Sequence, residues 1–241
     1  IIATMVDQYA KFLKQSFGVK WRKPVASAVY LLSSLGWRQD HNGLSHQNPS
    51  FVSNVLQKHG KFCQIYYPSD ANLLLLAYEE CFKSQDKICT IVSGKRDMPQ
   101  WLTLKEAREQ AKGGIGIWDW AGGVKACKDP DVVLASAGDY LTQEAMFAIA
   151  MCREFAPKLK IRYVNVSELT TIGLGDYCSK GHGACMTEVG VNKFFTPDRP
   201  VVFSYHGYVN DIKQILWPYT SSERFTLHGY NEEGSTTTPF D

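Results

Sequence analysis

The chain has 241 residues, of which 44% are apolar and 21% are charged, and its formal net charge is +2. This composition is typical of a globular protein with a substantial core, and the length suits one large domain or two of ordinary size. A charge so close to zero argues against a nucleic-acid partner, which a concentrated basic surface would indicate. No apolar run approaches the roughly 20 residues that a membrane-spanning helix needs, so we expect no membrane partner.

The seven cysteines are scattered along the chain and lie mostly among apolar residues. Their odd number and irregular spacing favour buried thiols in a reducing compartment over a disulfide framework, so we expect a cytoplasmic protein. The sequence has no initiator Met and opens within a helical pattern formed by Val6, Tyr9, Ala10 and Leu13. This opening predicts a fragment of a longer chain.

The first half of the chain alternates strand and helix patterns. Apolar, partly β-branched runs at 25–32, 62–67 and 88–92 predict three buried parallel strands. An amphipathic stretch separates the first two, and a helix capped by Asp70 and running to about Phe82 separates the last two. This order predicts a parallel sheet covered by helices.

A change of pattern follows from about residue 101. A charged helical stretch, LKEAREQAK, leads into the Gly- and Trp-rich sequence GGIGIWDWAGG. Its glycines fit neither the GxGxxG pattern nor a Walker motif, so we interpret this stretch as a linker or crossover and not as a phosphate-binding loop.

A second alternation follows, with strands predicted at 131–137, 161–166 and 201–205. Between them we predict a helix from a Thr142 cap through Phe155 and a short helix near 189–195. The two alternating blocks predict an α/β protein with two parallel-sheet domains, divided near residue 126.

Polar residues follow the predicted strands at the point where open parallel sheets bind ligands. The stretch RQDHNGLSHQNPS at 38–50 follows the first strand and carries four candidates: Gln39, His41, Asn42 and His46. Lys95 follows the third strand, so both groups predict one site for a phosphorylated, oxygen-rich small molecule. Spacing alone leaves a metal site, a catalytic site and a hydrogen-bonded loop open, and Lys95 alone is more typical of a surface lysine.

Other polar clusters are weaker candidates. Cys178, His182 and Cys185 offer three soft ligands but lack the fourth that structural zinc requires, so a surface loop is the better interpretation. His206 and His228 each precede Gly-Tyr, and the pattern does not separate a functional histidine from a loop histidine without a function. We predict no metal site built by this chain alone.

Six blocks of the sequence resemble one enzyme family. WRQDHNGLSHQNP at 37–49 closely resembles the phosphoketolase signature WRQDHNGFSHQDP. The other blocks follow in family order: YYPSDANLLL at 66–75, SGKRDMPQWLT at 93–103, GIGIWDWA at 114–121, FSYHGY at 203–208 and GYNEEGSTTTPFD at 229–241. By these blocks the sequence is identified as a member of the phosphoketolases, and DVVLASAGD is similar to the first strand and turn of the C-terminal domain in transketolase relatives.

The resemblance implies a fold and a reaction. Residues 1–126 would be the distal part of a pyrimidine-binding domain with a linker, and residues 127–241 a transketolase-like, incomplete C-terminal domain. The family is a group of aldehyde-lyases that cleave xylulose 5-phosphate, and often fructose 6-phosphate, with inorganic phosphate. The products are acetyl phosphate and an aldose phosphate, formed through enamine and acetyl intermediates on thiamine diphosphate. Mg²⁺ or Ca²⁺ accompanies that cofactor, and both are expected to bind mainly to parts outside this chain.

The resemblance also implies roles for the candidate residues. The resemblance assigns catalytic roles to His46, Asn42 and His41. It also implies that Asn42 and His46 contact the cofactor. His46 would serve as a donor or proton shuttle, a role that suits imidazole, and Asn42 would orient the intermediate. Gln39 and Lys95 would lie at the substrate phosphate.

Some departures from the family pattern leave other functions open. Residues 219–226 (YTSSERFT) differ most, and Leu44 and Asn48 replace Phe and Asp of the signature. The alternatives are a transketolase-like two-carbon transferase and an inactive relative with a regulatory or oligomerisation role. Because active sites of the family form between subunits, we expect self-association and an inactive isolated fragment.

Overall fold

Two β-sheets with helices packed against them organise the chain. The computed structural model describes residues 1–33, 49–58, 62–122, 129–173, 186–219 and 221–231. The predicted α/β class with two largely parallel sheets is confirmed. Within these ranges, no helix combines the length and the apolar character that crossing a membrane requires.

The first sheet has three parallel strands in the order β1-β3-β2. Its elements are α1 (Ile2–Ser16), β1 (Ala28–Leu32), α2 (Ser50–Leu56), β2 (Cys63–Tyr66), α3 (Ala71–Lys83) and β3 (Ile88–Val92). The predicted parallel strands and the helix between β2 and β3 are therefore confirmed. The opening helix is confirmed as well, because its predicted apolar face is buried at Val6, Ala10 and Leu13.

Asp70 caps α3 and also holds the segment that precedes the next helix. One carboxylate oxygen accepts a hydrogen bond from the backbone N–H of Leu73 at 2.9 Å. The other oxygen accepts from the N–H groups of Trp101 at 3.2 Å and Leu102 at 2.8 Å. A single carboxylate, 5% exposed, thus satisfies three backbone donors from two parts of the chain.

The second sheet has five strands in the order β4-β6-β5-β7-β8. Its elements are α4 (Leu104–Gly113), β4 (Ile115–Ile117), β5 (Val132–Ala137), α5 (Asp139–Phe155), β6 (Ile161–Val166), α6 (Glu188–Phe195), β7 (Val201–Tyr208), α7 (Val209–Leu216) and β8 (Phe225–Tyr230). All neighbours are parallel except β4, which runs antiparallel to β6. Residue 126 lies outside the described ranges, so the domain division at that point stays a prediction.

The Gly- and Trp-rich stretch differs from a linker because it contains β4. Gly114 directly follows α4, and its left-handed φ of 71° turns the chain back along β6. A side chain at Gly114 would lie 2.4 Å from Thr171 Oγ1, so only glycine fits this turn. Trp118 follows β4, is buried, and donates its indole N–H to Gln110 Oε1 at 2.8 Å.

The prediction that Thr142 caps the helix after β5 is wrong. Helix α5 already begins at Asp139, directly after Gly138, whose φ is 120°. Thr142 lies inside the first turn, where its hydroxyl donates to the carbonyl oxygen of Gly138 at 2.8 Å. The tight strand-to-helix turn allowed by Gly138 therefore replaces a side-chain cap.

Three features at the end of the chain escaped sequence reasoning. Strand β7 continues to Tyr208, and α7 and β8 follow it. His206 and His228 consequently lie on strands, His206 buried and His228 exposed. The alternation of Phe225 and Leu227 with the more exposed Thr226 and His228 was the signal for β8 that the sequence contained.

The two sheets share one apolar core and a chain of buried polar groups. The hydroxyls of Tyr67 and Tyr205 lie 3.0 Å apart, and the Tyr205 hydroxyl donates to Asp211 Oδ2 at 3.2 Å. Burial raises the pKa of both tyrosines and also that of the Asp211 carboxyl, since each charged form loses its contact with water.

We expect Asp70→Ala to lower the free energy of unfolding by about 3 kcal/mol, because three backbone N–H groups lose their acceptor. The matched control is Thr187→Ala, since Thr187 is exposed and accepts one hydrogen bond, from Gly190 N–H. That change should cost about 1 kcal/mol. Chemical denaturation of both variants gives the comparison, and equal losses would contradict the dual role of Asp70.

We expect Asp211→Asn to make stability less dependent on pH. Because the folded-state pKa of Asp211 is raised above its value of 3.8, its stabilising contribution is complete below that value and is lost as pH rises through the folded pKa. The Asn variant, which never ionises, should therefore gain stability relative to the parent at pH 7 but not at pH 3.5. Unfolding free energies measured across this range test the sign, with the more exposed Asp131→Asn as the control. A stability difference that does not change with pH would show that Asp211 is not the titrating group.

Candidate functional site

Of the predicted polar loop, the structure describes the residues on either side. Gln39, His41, Asn42 and His46 lie outside the described residues, as do Cys178, His182 and Cys185. The chain before the loop is the carboxyl end of β1, and the chain after it enters α2 at Ser50. The structure therefore fixes where this segment leaves and rejoins the fold, and gives no geometry for its side chains.

Lys95 lies beyond the carboxyl end of β3, and β3 is the direct neighbour of β1. The two strands run in parallel register, with Leu32 opposite Val92, and the N–H of Ser93 donates to the carbonyl oxygen of Leu32 at 3.2 Å. Lys95 follows two residues later and is exposed. The chain thus leaves β1 and β3 at the same edge of the sheet, with Lys95 just beyond that edge. That the loop residues share a site with Lys95 stays a prediction.

The second sheet contributes a carboxylate to this edge. The backbone N–H of Gly94 donates to Asp139 Oδ2 at 2.5 Å, and Asp139 is the first residue of α5, directly beyond β5. Its other oxygen accepts from the N–H of Tyr140 at 2.8 Å. Asp139 is 3% exposed, so water does not compete for these bonds. A negative charge in the first turn of a helix is also favoured by the helix dipole.

A histidine from β7 completes the cluster. His206 is 2% exposed, and its Nδ1 atom lies 4.0 Å from Asp139 Oδ1. Its ring meets the Tyr140 ring edge to face, with centroids 6.1 Å apart. A side chain at Gly138 would lie 2.8 Å from the His206 Cβ, so glycine lets the ends of β5 and β7 approach. We name Gly94, Asp139, Tyr140 and His206 the strand-end cluster.

Sequence reasoning missed Asp139 and Tyr140 and left His206 undecided. The one available signal was the Gly-Asp pair directly after the strand DVVLASA, which is the pattern of a tight strand-to-helix turn. Nothing local to residue 139 predicts contact with residue 94, since the partners are 45 positions apart.

The described residues at this edge include an exposed cation, Lys95. Lys95 supplies a cation suited to a phosphate, and the strand-end cluster holds the backbone beside it. Across the described ranges, no group of three or more His, Cys, Asp or Glu side chains could hold a metal ion.

A separate cavity of about 480 Å³ lies between α3, α4 and residues 167–168. Its rim carries both signs of charge, and Glu79 pairs there with Lys83 at 2.5 Å and with Arg108 at 3.5 Å. Neither Lys95 nor the strand-end cluster lines it, so it is not the site predicted from the strand ends.

Comparison with protein families assigns both halves of the chain. Residues 1–84 match the family of D-xylulose 5-phosphate/D-fructose 6-phosphate phosphoketolases. Residues 95–241 match the C-terminal domain of the same family, abbreviated XFP. The two matches meet around the turn that carries Gly94.

Curated relatives match the chain over its whole length. It is 43% identical to the probable phosphoketolase 2 of Rhizobium meliloti, 42% to the probable phosphoketolase of Brucella abortus and 44% to that of Bradyrhizobium diazoefficiens. In each case 100% of this chain is covered but only 30% of the relative, so the chain spans about 30% of the length of these proteins.

Solved structures of transketolases share the fold. A transketolase variant from Pichia stipitis aligns with a TM-score of 0.57 at 12% identity and covers 85% of this chain and 25% of its own. The Campylobacter jejuni enzyme gives 0.54 at 12% identity, covering 87% and 27%. A split-gene transketolase, described as an inactive beta4 tetramer, gives 0.52 at 15% identity, covering 85% and 56%.

These structural neighbours establish a transketolase-type architecture and nothing finer, because their sequences are too distant. The sequence matches are closer and cover the whole chain, and they confirm the family that the six sequence blocks indicated. The chain belongs to the phosphoketolase family.

Proposed function

We propose that the full-length protein containing this chain is a phosphoketolase. It cleaves xylulose 5-phosphate, or fructose 6-phosphate, with inorganic phosphate and yields acetyl phosphate, an aldose phosphate and water. The observation that carries the proposal is the parallel pairing of β1 with β3, because the chain leaves both strands at the same edge of the sheet. In the sequence, the family signature follows β1 and Lys95 follows β3. The family description, which names both sugar phosphates, supports the substrate class.

The candidate residues of this chain have two proposed roles: some act in the carbon chemistry, and others bind phosphate. His46 and Asn42 serve the two-carbon unit, His46 by donating or moving a proton and Asn42 by orienting the reacting group. His41 is a third catalytic candidate from the same signature. Gln39 and Lys95 bind the substrate phosphate, for which a flexible ammonium group is well suited.

Thiamine diphosphate would supply the nucleophilic carbon that attacks the ketose carbonyl. The described residues do not fit the diphosphate and its metal ion, because they contain no cluster of metal-ligating side chains. We therefore assign the diphosphate and its Mg²⁺ or Ca²⁺ to other parts of the full-length protein, and restrict this chain to the cofactor contacts of Asn42 and His46.

Self-association is part of the proposal. The relatives that match this chain are more than three times as long, and one structural neighbour is itself described as a tetramer. Self-association would allow a site to combine these strand ends with parts of another subunit. On this proposal, the 241 residues by themselves are inactive.

The transketolase-like alternative predicts a different requirement for phosphate. We expect the full-length protein to form acetyl phosphate from xylulose 5-phosphate only when inorganic phosphate is present, with trapping as acetyl hydroxamate as the measurement. The purified 241-residue chain, assayed beside it, should form none. Two-carbon transfer to an aldose without a need for phosphate would favour the transferase, and the absence of both reactions would favour an inactive relative.

Substitutions in the full-length enzyme separate the two proposed roles. His46→Ala should lower kcat by about 10²- to 10⁴-fold, the usual contribution of a positioned proton donor. Lys95→Ala should instead raise KM for the sugar phosphate by about 10- to 100-fold, since a hydrogen bond to a charged group is lost. Lys105→Ala, at an exposed position of α4, is the matched control and should change neither constant. An unchanged turnover in His46→Ala would remove the main catalytic assignment.

A further inference from the structure

We infer that Asp139 is a positioning residue for Lys95, acting through the backbone of Gly94. The inference rests on the proposed role of Lys95 in phosphate binding and adds a residue from the second half of the chain to that site. Asp139 lies outside the six family blocks and is the last residue of the DVVLASAGD stretch, and its partner Gly94 is 45 residues away.

The hydrogen bond between Gly94 and Asp139 is the central contact. Beyond Ser93, whose N–H still donates to the carbonyl oxygen of Leu32, the chain leaves the first sheet. The N–H of Gly94 donates instead to a carboxylate of the second half at 2.5 Å. A hydrogen bond to a charged acceptor is about twice as strong as one between neutral groups. The turn that carries Lys95 is therefore anchored one residue before the lysine itself.

The surroundings of Gly94 show how closely the two halves approach. A Cβ atom at this position would lie 2.7 Å from the Tyr140 hydroxyl, 2.8 Å from its Cζ atom and 3.0 Å from Asp139 Oδ2. These distances are shorter than van der Waals contact, so the turn packs directly on the first residues of α5. Any larger residue at 94 would push the turn away from the carboxylate.

The carboxylate is itself held on several sides. It accepts from the N–H of Tyr140 at 2.8 Å, and His206 lies 4.0 Å from the same oxygen. Gly138, with its φ of 120°, sets the direction in which the chain enters α5. Because Asp139 is almost completely buried, it cannot move to solvent without giving up these contacts.

The consequence concerns substrate affinity more than the chemical step. If the anchor is lost, the turn gains freedom and Lys95 spends less time where a phosphate would bind. Interactions that hold substrate and transition state equally well act on KM and leave kcat largely unchanged. A role in stability alone would change neither constant in the folded enzyme.

The test uses Asp139→Asn in the full-length enzyme, a change that keeps the size of the side chain and removes its charge. We expect KM for xylulose 5-phosphate to rise about 10-fold with kcat within 3-fold of the parent. We also expect amide hydrogen exchange of peptides spanning residues 93–96 to accelerate at least 10-fold. Asp131→Asn is the matched control, because Asp131 is more exposed and its carboxylate accepts from Lys160 N–H, away from the strand-end cluster.

A double-mutant cycle with Lys95→Ala decides whether Asp139 acts through the lysine. If it does, the double variant has the same KM as Lys95→Ala alone. Additive effects on KM, or unchanged exchange at 93–96, would overturn the inference while leaving the role of Lys95 intact. No effect of Lys95→Ala on KM would instead overturn the phosphate-binding proposal and this inference with it.

A second variant changes the other partner of the same hydrogen bond, Gly94. It keeps the inference testable if Asp139→Asn fails to fold. Gly94→Ala should also raise KM, and again without further effect in the Lys95→Ala background, because the added methyl group displaces the turn. Gly18→Ala is its control, since nothing lies within 4 Å of a Cβ at that position. An unchanged KM in Gly94→Ala would overturn the inference.

Discussion

The architecture depends on how the free edge of β2 is covered. In the order β1-β3-β2 this strand has one neighbour, so half of its backbone groups point away from the sheet. The second half of the chain satisfies them: Thr170 Oγ1 accepts from Ile65 N–H at 3.2 Å, and the carbonyl oxygen of Ser167 accepts from Tyr67 N–H at 2.8 Å. If they were unpaired, each of these buried donors would cost free energy comparable to a lost hydrogen bond. The smaller sheet therefore depends on the second half of the chain for its stability.

This junction also explains why the polar candidates gather at one place. Covering β2 with the segment after β6 brings the second sheet beside the first, and the start of α5 then reaches the turn after β3. Strands β1 and β3 end at that edge, and β5 and β7 bring Asp139 and His206 to it. On the proposed function, a site at this edge would draw on residues from both sheets.

Much of the fold was predictable because its signals are local. Strands β2, β3 and β6 are rich in apolar and aromatic residues, and α3 has an aspartate at its cap, so each could be assigned within its own window. Strand β4 could not, because a three-residue segment with glycine at its centre becomes a strand only by pairing with β6, almost 50 residues later. The Thr142 cap failed for a related reason, since the helix start is set by the backbone of Gly138 and not by a side chain.

The candidate site shows the same division. Lys95 was found because a polar residue after a buried strand is visible in the sequence, and the roles of the loop at 38–50 came from resemblance to a family. Asp139 was hidden, because its function lies in a contact with a residue 45 positions earlier. Contacts of this kind arise from the packing of two sheets, and a pattern read along one strand does not contain them.

The strand ends approach each other closely only because two positions between them are glycines. Gly94 and Gly138 flank the Asp139 carboxylate in space, and at both positions a side chain would collide with the strand-end cluster. Glycine costs more conformational entropy on folding than any other residue, so its use at both points is compensated by what the close approach allows. That gain is a buried carboxylate within hydrogen-bonding distance of a backbone amide, in surroundings where water does not weaken the bond. The strand ends can therefore present an exposed lysine from a rigid base, which a loop built from larger residues would not provide.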